Sequence, residues 1–315
     1  MINHPPAASS SGDAIPSKDV LPPKKLALLG GDLRQMITAK TLAADGYEVA
    51  VFAMDTYAGD WGNVTRAADL QSAVGGADLV VLPLPVTRDG ERLHSPLSRD
   101  TVPLEEVFRL LTPGQHVVGG KVTEALRVLA ASHGITVTDY LDREELAIAN
   151  AVPTAEGALE IAMAEVPYTI HGARCLILGY GRVAKALARI LSAVGAIVTV
   201  AARKPEDLAW IAANGQSPLA MSELLCGDAP LAYDIVCNTV PKQICGADLL
   251  SRLPKDVLLL DLASAPGGFD HEWAKENGYH IIWALSLPGK TAPVTAGRII
   301  GDTIRRILME GEEAT

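Results

Sequence analysis

Aromatic residues are scarce in this 315-residue chain: Phe, Trp and Tyr together make up 4%. Its core must therefore be built from Ala, Val, Leu and Ile, the residues that fill two-sided strands of parallel sheets. Metal-type spacings are missing as well. The four cysteines, Cys175, Cys226, Cys237 and Cys245, form no C-x-x-C pair, and the seven histidines form no H-E-x-x-H, so no zinc site is read. Cys175 and Cys237 fall inside apolar runs and read as small buried hydrophobes, which suits a reducing cytoplasm. No cluster of Lys and Arg occurs, and the net charge is −10. That argues against a nucleic-acid partner, because neutralising phosphates needs clustered cations. No apolar run reaches the roughly 18 residues of a membrane span.

What the chain does have is ordered alternation. Residues 1–23, MINHPPAASSSGDAIPSKDVLPP, are rich in Ala, Ser and Pro and lack the layout of a signal peptide. They read as a disordered tail. From Lys24 onward short apolar runs alternate with helical patterns, which predicts α/β architecture with parallel sheets. Strands are expected at 26–29, 47–52, 77–82, 116–118 and 135–138, with helices at 33–44, 104–111 and 123–132. Residues 144–166 carry helical periodicity broken at Pro153, so a helix over 154–166 should leave the first domain. A second series follows, with strands at 175–178, 196–201, 233–238, 257–262 and 280–283. Helices are expected at 182–193, 208–213 and 222–225. An amphipathic helix at 295–309 closes the chain. The expectation is two doubly wound parallel-sheet domains with a cleft between them. The first is a substrate domain over 24–150, completed by a returning helix at 294–312. The second, over 151–293 with its linker helix, is a Rossmann domain that binds NADP(H).

The sharpest motif is Gly179-Tyr180-Gly181-Arg182-Val183-Ala184, between a strand and a helix. The first glycine allows the tight turn and the second lets the backbone approach a pyrophosphate. The small Ala184 lets helix and strand pack closely. The helix N-terminus then offers free N–H groups to the phosphates. An NAD site carries an acid at the end of the next strand. Here that strand ends Ala201-Ala202-Arg203-Lys204, with no carboxylate before Glu206. Arg203 and Lys204 suit a 2′-phosphate, which selects NADP(H) over NAD(H). Asn238-Thr239-Val240-Pro241 and Ser264 close later strands and should border the nicotinamide. Gly30-Gly31-Asp32-Leu33-Arg34-Gln35 lacks the spaced glycines, so one dinucleotide per chain is expected. The first domain should instead present Asp32, Arg34, Thr87, Lys121 and Asp139 at its strand ends, where ligands of open α/β sheets bind. The run at 287–297, rich in Gly and Pro, reads as a shaped turn that carries Lys290 toward the cleft.

These motifs occur together. In their order, Gly-Gly-Asp-x-Arg-Gln at 30–35, Pro-Thr-Ala-Glu-Gly at 153–157, the 179–184 fingerprint and Leu-Pro-Gly-Lys-Thr-Ala-Pro at 287–293, the chain resembles the dipicolinate synthase A subunits of spore-forming bacteria. More distantly its layout is similar to the D-2-hydroxyacid dehydrogenases. The resemblance implies NADP-dependent oxidation of a dihydrodipicolinate-type precursor from a branch of the lysine pathway. It implies partnership with a flavoprotein-like B subunit, in a cytoplasmic, mother-cell setting during sporulation. A homo-oligomer is left open. For that chemistry Arg34 and Lys121 are candidates to hold the carboxylates, with Thr87 nearby and Lys290 and Thr291 from the far side. Asp32, Glu145 and Glu156 are candidate bases, and Lys121 also counts among the catalytic candidates. Two other readings fit the residues: an NADP(H)-dependent hydroxyacid or amino-acid dehydrogenase, and a non-catalytic regulatory protein that binds NADP(H).

Overall fold

A computed structural model describes residues 24–313; the 1–23 tail lies outside the described residues. The first sheet contains β1 (Lys25–Leu29), β2 (Glu48–Phe52), β3 (Thr65–Arg66), β4 (Leu79–Val81), β5 (His116–Gly119) and β6 (Val137–Asp139). Helices α1 (Leu33–Ala44), α2 (Leu70–Val74), α3 (Leu104–Leu110) and α4 (Glu124–Ser132) link its strands. The long α5 (Glu144–Glu165) leads to the second sheet. That sheet contains β7 (Arg174–Leu178), β8 (Ile197–Ala202), β9 (Ser217–Ala220), β10 (Ile235–Asn238), β11 (Leu258–Asp261) and β12 (His280–Trp283). Its connecting helices are α6 (Arg182–Ala193), α7 (Pro205–Ala213), α8 (Met221–Cys226), α9 (Ala247–Leu250) and α10 (His271–Glu276). The chain ends in α11 (Leu287–Thr291) and α12 (Pro293–Glu313).

Both six-stranded sheets are parallel and share one order. It is β3-β2-β1-β4-β5-β6 in the first and β9-β8-β7-β10-β11-β12 in the second. The direction of winding reverses between β1 and β4, and again between β7 and β10. Ligand crevices of doubly wound sheets open at those points. The strands are apolar on both faces, as in Leu26, Ala27, Leu28 and Leu29 of β1, because helices cover both sides. Cys175 and Cys237 are buried in this core, and burial pushes the Cys175 thiol up to about 12.

Two local expectations needed correction. Pro153 does not break its helix: α5 runs unbroken for 22 residues. The proline forfeits one backbone bond, a cost of about 3 kcal/mol. Packing on both flanks offsets it, with Leu146 in the first core and Ala155, Ala158 and Ala162 in the second. Residues 287–297 form no open turn. They fold into the helical turn α11, started by Ser286 in the left-handed region (φ 61°), and the beginning of α12. The short elements β3, α2, β9, α9 and α10 had no periodicity long enough to reveal them.

Helix α12 packs along α1. Its Ile300, Ile304 and Leu308 enter the first-domain core. The helices approach backbone to backbone at Gly297. A Cβ there would stand 2.6 Å from both Arg34 O and Ile37 Cβ, while Thr38 Oγ1 donates to Gly297 O at 2.9 Å. Gly301 is looser, at 3.2 Å from Thr41 Cγ2. Gly297→Val is therefore expected to destabilise the protein by about 3 kcal/mol, and Gly301→Ala by clearly less, in urea unfolding. Equal midpoints for the two variants would refute this packing.

Candidate active site

At the nucleotide turn, Gly179 has φ 96° and its N–H donates to Ala201 O at 2.9 Å. A Cβ at Gly179 would stand 2.7 Å from Thr239 Oγ1 and 2.9 Å from Val240 Cγ2. Gly181, the N-cap of α6, is the opposite: a Cβ there meets nothing within 4 Å. Gly181 thus leaves open space at the start of α6, whose first-turn N–H groups have no side-chain cap, the kind of terminus that binds phosphate in dinucleotide folds. Ala184, in the first turn of α6, is fully buried. The residues present thus suit a dinucleotide. Arg203 and Lys204 follow β8 and are exposed. Arg203 has no ion-pair partner among the described residues, and Lys204 lies 4.0 Å from Glu206.

Other fingerprint side chains face a different way. Arg182 Nη1 donates to Glu144 Oε2 at 2.6 Å. The Tyr180 phenol accepts from Asn214 Nδ2 at 3.3 Å, and Lys185 Nζ lies 5.1 Å from its ring centre. Both residues line a hollow of about 550 Å³ between α5 and α6. Tyr180, Arg182 and the half-buried Val183 therefore have backbone N–H groups, rather than side chains, to offer a phosphate.

Asn238, expected to touch the cofactor, is fully buried. Its Nδ2 donates to Asp261 Oδ1 at 2.8 Å and to Val240 O at 3.0 Å, and its Oδ1 accepts from Val240 N–H at 3.1 Å. Asp261 is also fully buried. It accepts from Ala263 N–H (3.2 Å), Gly268 N–H (2.8 Å) and Phe269 N–H (3.4 Å), and meets His271 Nε2 at 2.9 Å. The His271 ring stacks on Trp283, centroids 4.8 Å apart, and Trp283 Nε1 donates to Ala263 O. This network shapes the loops after β10 and β11, leaving Pro241 and Ser264 exposed at the strand ends. Thr239 Oγ1 donates to Leu178 O at 2.8 Å, which ties the β10 loop to the glycine turn. Asn238 thus positions the site from beneath. A buried carboxylate needs several donors, and Asn238 supplies one of them.

At the first switch point, Asp32 caps α1 and is paired with Arg34. Asp32 Oδ1 accepts from Arg34 N–H and Nε, both at 3.0 Å, and Oδ2 accepts from Nη2 at 2.8 Å. Nη2 also donates to Leu84 O at 2.6 Å. Arg34 is only 7% exposed. From the other domain, Gly289 backs onto it: a Cβ there would lie 3.0 Å from Arg34 Cζ. Leu287, two residues earlier, belongs to the second core, so α11 spans both domains. Among the described residues Nη1 has no partner, and it is not sealed from solvent. The guanidinium is thus clamped on two edges with its third edge free, a geometry that fits a carboxylate.

The remaining candidates fall in several places. Lys121 follows β5 with φ 62° and an exposed side chain. Asp139 fixes its loop, accepting from the N–H groups of Lys121, Val122 and Leu141. Only β4 separates β1 from β5, so Lys121 and Arg34 rise from strands about 10 Å apart. Lys290 is exposed next to Gly289. Thr291 packs on α5, where a Cβ on Gly157 would lie 2.7 Å from its hydroxyl. The Thr87 hydroxyl donates to Asp89 Oδ1 and accepts from Gly90 N–H, so it is used within its own turn. Glu145 pairs with Arg143, which also grips Glu310. Glu310 lies 13 residues past Gly297, about 20 Å along α12 from Arg34. Glu156 is exposed on α5 with no partner among the described residues. Neither glutamate joins Arg34. One residue near it escaped sequence reasoning: His94, in the loop after β4, whose carbonyl accepts from Gly31 N–H at 2.7 Å. It lies 60 positions from Arg34 and in no periodic segment. The only signal was its place in a loop beyond a strand's carboxyl end.

Comparison with known proteins agrees with this architecture. Residues 25–141 match the family described as the N-terminal domain of the dipicolinate synthase A subunit. The dipicolinate synthase A subunit of Bacillus subtilis (strain 168) is 31% identical over 287 residues, spanning 91% of this chain and 96% of that protein. The crystal structure of the A chain of dipicolinate synthase from Bacillus subtilis superposes with a TM-score of 0.84 at 29% identity, covering 94% of this chain and 99% of that one. The corresponding crystal structure from Bacillus halodurans gives 0.83 at 31%, covering 90% and 97%. A transhydrogenase from Sinorhizobium meliloti, at 15% identity and a TM-score of 0.67, shares the fold over 90% of this chain and 92% of its own. With 31% identity over 91% of its length and a matching N-terminal domain, this chain belongs to the family of dipicolinate synthase A subunits.

Proposed function

We propose that the chain oxidises a dihydrodipicolinate-type precursor to dipicolinate, with NADP+ as the hydride acceptor. The observation that carries this reading is the Arg34 guanidinium. It is held between Asp32, Leu84 O and Gly289 with one edge free, where the first-domain switch point meets the α11 bridge. A pyridine-2,6-dicarboxylate has two carboxylates to anchor. Arg34 takes one, and Lys121 and Lys290 are the exposed cations placed to take the other. When bound, the nicotinamide supplies the hydride acceptor. The chain's own residues hold the ring, exclude misalignment and receive the proton. Partnership with a flavoprotein-like B subunit, and action in the mother cell of a sporulating bacterium, belong to the same proposal.

The direct test incubates the purified chain alone with the lysine-pathway precursor and NADP+, following NADPH and the pyridine product. Turnover only after adding the B subunit would make this chain dependent on its partner. Turnover of 2-hydroxyacids instead would overturn the substrate assignment. Arg203 carries the cofactor choice, since no acid follows β8 before Glu206. Arg203→Glu is expected to weaken NADP+ binding at least about tenfold while leaving NAD+ binding unchanged or tighter, read by fluorescence titration. A parallel loss of both would remove Arg203 from 2′-phosphate recognition.

A further inference from the structure

Two further titratable side chains stand near Arg34: Tyr140, fully buried with its hydroxyl donating to Leu82 O at 3.4 Å, and His94. The His94 backbone is fixed at both ends, with its N–H donating to Val86 O at 2.8 Å and its carbonyl accepting from Gly31 N–H at 2.7 Å. Gly30, at φ 56°, packs against it so closely that a Cβ would lie 2.9 Å from the His94 oxygen. The loop after β4 is thereby held on the glycine pair that leads into Asp32 and Arg34. The imidazole is half-buried and makes no hydrogen bond or ion pair among the described residues. Three groups therefore meet at the carboxyl end of β1: Arg34 with one free edge, Asp32 and His94. Both oxygens of Asp32 accept from Arg34, so its lone pairs are committed to a cation. Glu145 is held by Arg143, and Glu156 stands exposed on α5.

We infer that His94 is the general base that takes the ring proton in the dehydrogenation proposed above; the inference rests on that reading. A dihydropyridine becomes a pyridine by losing one hydride and one proton from adjacent saturated ring carbons. The hydride leaves to the oxidised nicotinamide dinucleotide, and the C–H electron pair of the second carbon becomes the third ring double bond. The proton freed there passes to an imidazole nitrogen of His94 and from it to water. The charged groups facing the imidazole are Arg88, Arg34 and Asp32. Desolvation, with the positive charge of Arg88 and Arg34, holds His94 below the ordinary imidazole range, and Asp32 opposes this. The base is then neutral near pH 7, where it can accept a proton.

The test uses the full chain and H94Q. The expected result is a fall in kcat of about 100-fold or more, with KM for the dicarboxylate within about threefold. The wild-type kcat/KM should rise with pH through the imidazole titration, and that acid limb should vanish in H94Q. A readout independent of turnover is NMR of 13C-labelled histidine, with the His94 resonance assigned by its loss in H94Q. Added pyridine-2,6-dicarboxylate should shift that resonance and raise its titration midpoint, because an anion settles beside it. If H94Q keeps wild-type kcat and the acid limb, or if the dicarboxylate binds without moving the His94 signal, the assignment to His94 falls and the proposed function stands. If the wild-type chain makes no pyridine product with NADP+, with or without the B subunit, both fall. Thermal melting and NADP+ binding check the fold of H94Q; should it misfold, the wild-type resonance decides, assigned through H94N.

Discussion

Arg34→Ala is expected to lower kcat/KM for the dicarboxylate by two to three orders of magnitude, or about 3–4 kcal/mol, while the NADP+ affinity changes by less than about twofold. The guanidinium is nearly buried, and its position is over-determined by Asp32, Leu84 O and Gly289. Such preorganisation makes the free Nη1 edge effective, since little side-chain entropy remains to be lost when a carboxylate arrives. Removing the side chain also leaves Asp32 without its cation. Arg34→Lys should recover little. An ammonium is one point of charge and cannot grip Asp32, Leu84 O and a ligand along separate edges. Equal loss of dicarboxylate and NADP+ binding, or loss of neither, would sink the assignment.

Asp261→Ala is expected to cost at least about 3 kcal/mol in chemical unfolding and to weaken NADP+ binding strongly. The carboxylate is fully buried and gathers five partners: Asn238, three backbone N–H groups and His271. Deleting it leaves those donors buried without acceptors, at about 1–3 kcal/mol for each that water cannot reach. Asp261→Asn should not rescue, because both oxygens accept and an amide would turn a donor toward donors. The loop packs closely on this network: a Cβ on Gly267 would collide with Asp261, and one on Gly268 with the Asn238 amide. A variant with wild-type stability and wild-type cofactor affinity would show that the network does not shape the nucleotide loops.

The two substitutions separate the two halves of the site. In the proposed function Arg34 would act on substrate from the first domain, and Asp261 on the cofactor loops from beneath the second. If the domains work as one site, the double variant should lose activity roughly as the product of the single losses, because the two residues share no contact.

The sequence by itself determined the α/β class, the alternating order of elements and the dinucleotide turn. Apolar runs of four to six residues, a period-3.6 pattern between them and Gly179-x-Gly181-x-x-Ala184 are local signals, and the limits of α1 and α6 follow from them to the residue. The position of Arg34 just past a strand end was legible too, but its burial and its pairing with Asp32 and Leu84 O were not. Tertiary structure decided the rest. It carried α5 through Pro153, because packing against two cores outweighs one lost hydrogen bond. It turned Asn238 from a cofactor ligand into a buried partner of Asp261, a residue 23 positions away. It sent Glu145 to the far end of α12 and brought His94 to Arg34, two moves that no local propensity encodes. Pairings across tens of residues depend on how sheets and helices stack. One chain's residue types show which groups can do chemistry, but only the packed fold shows which of them meet.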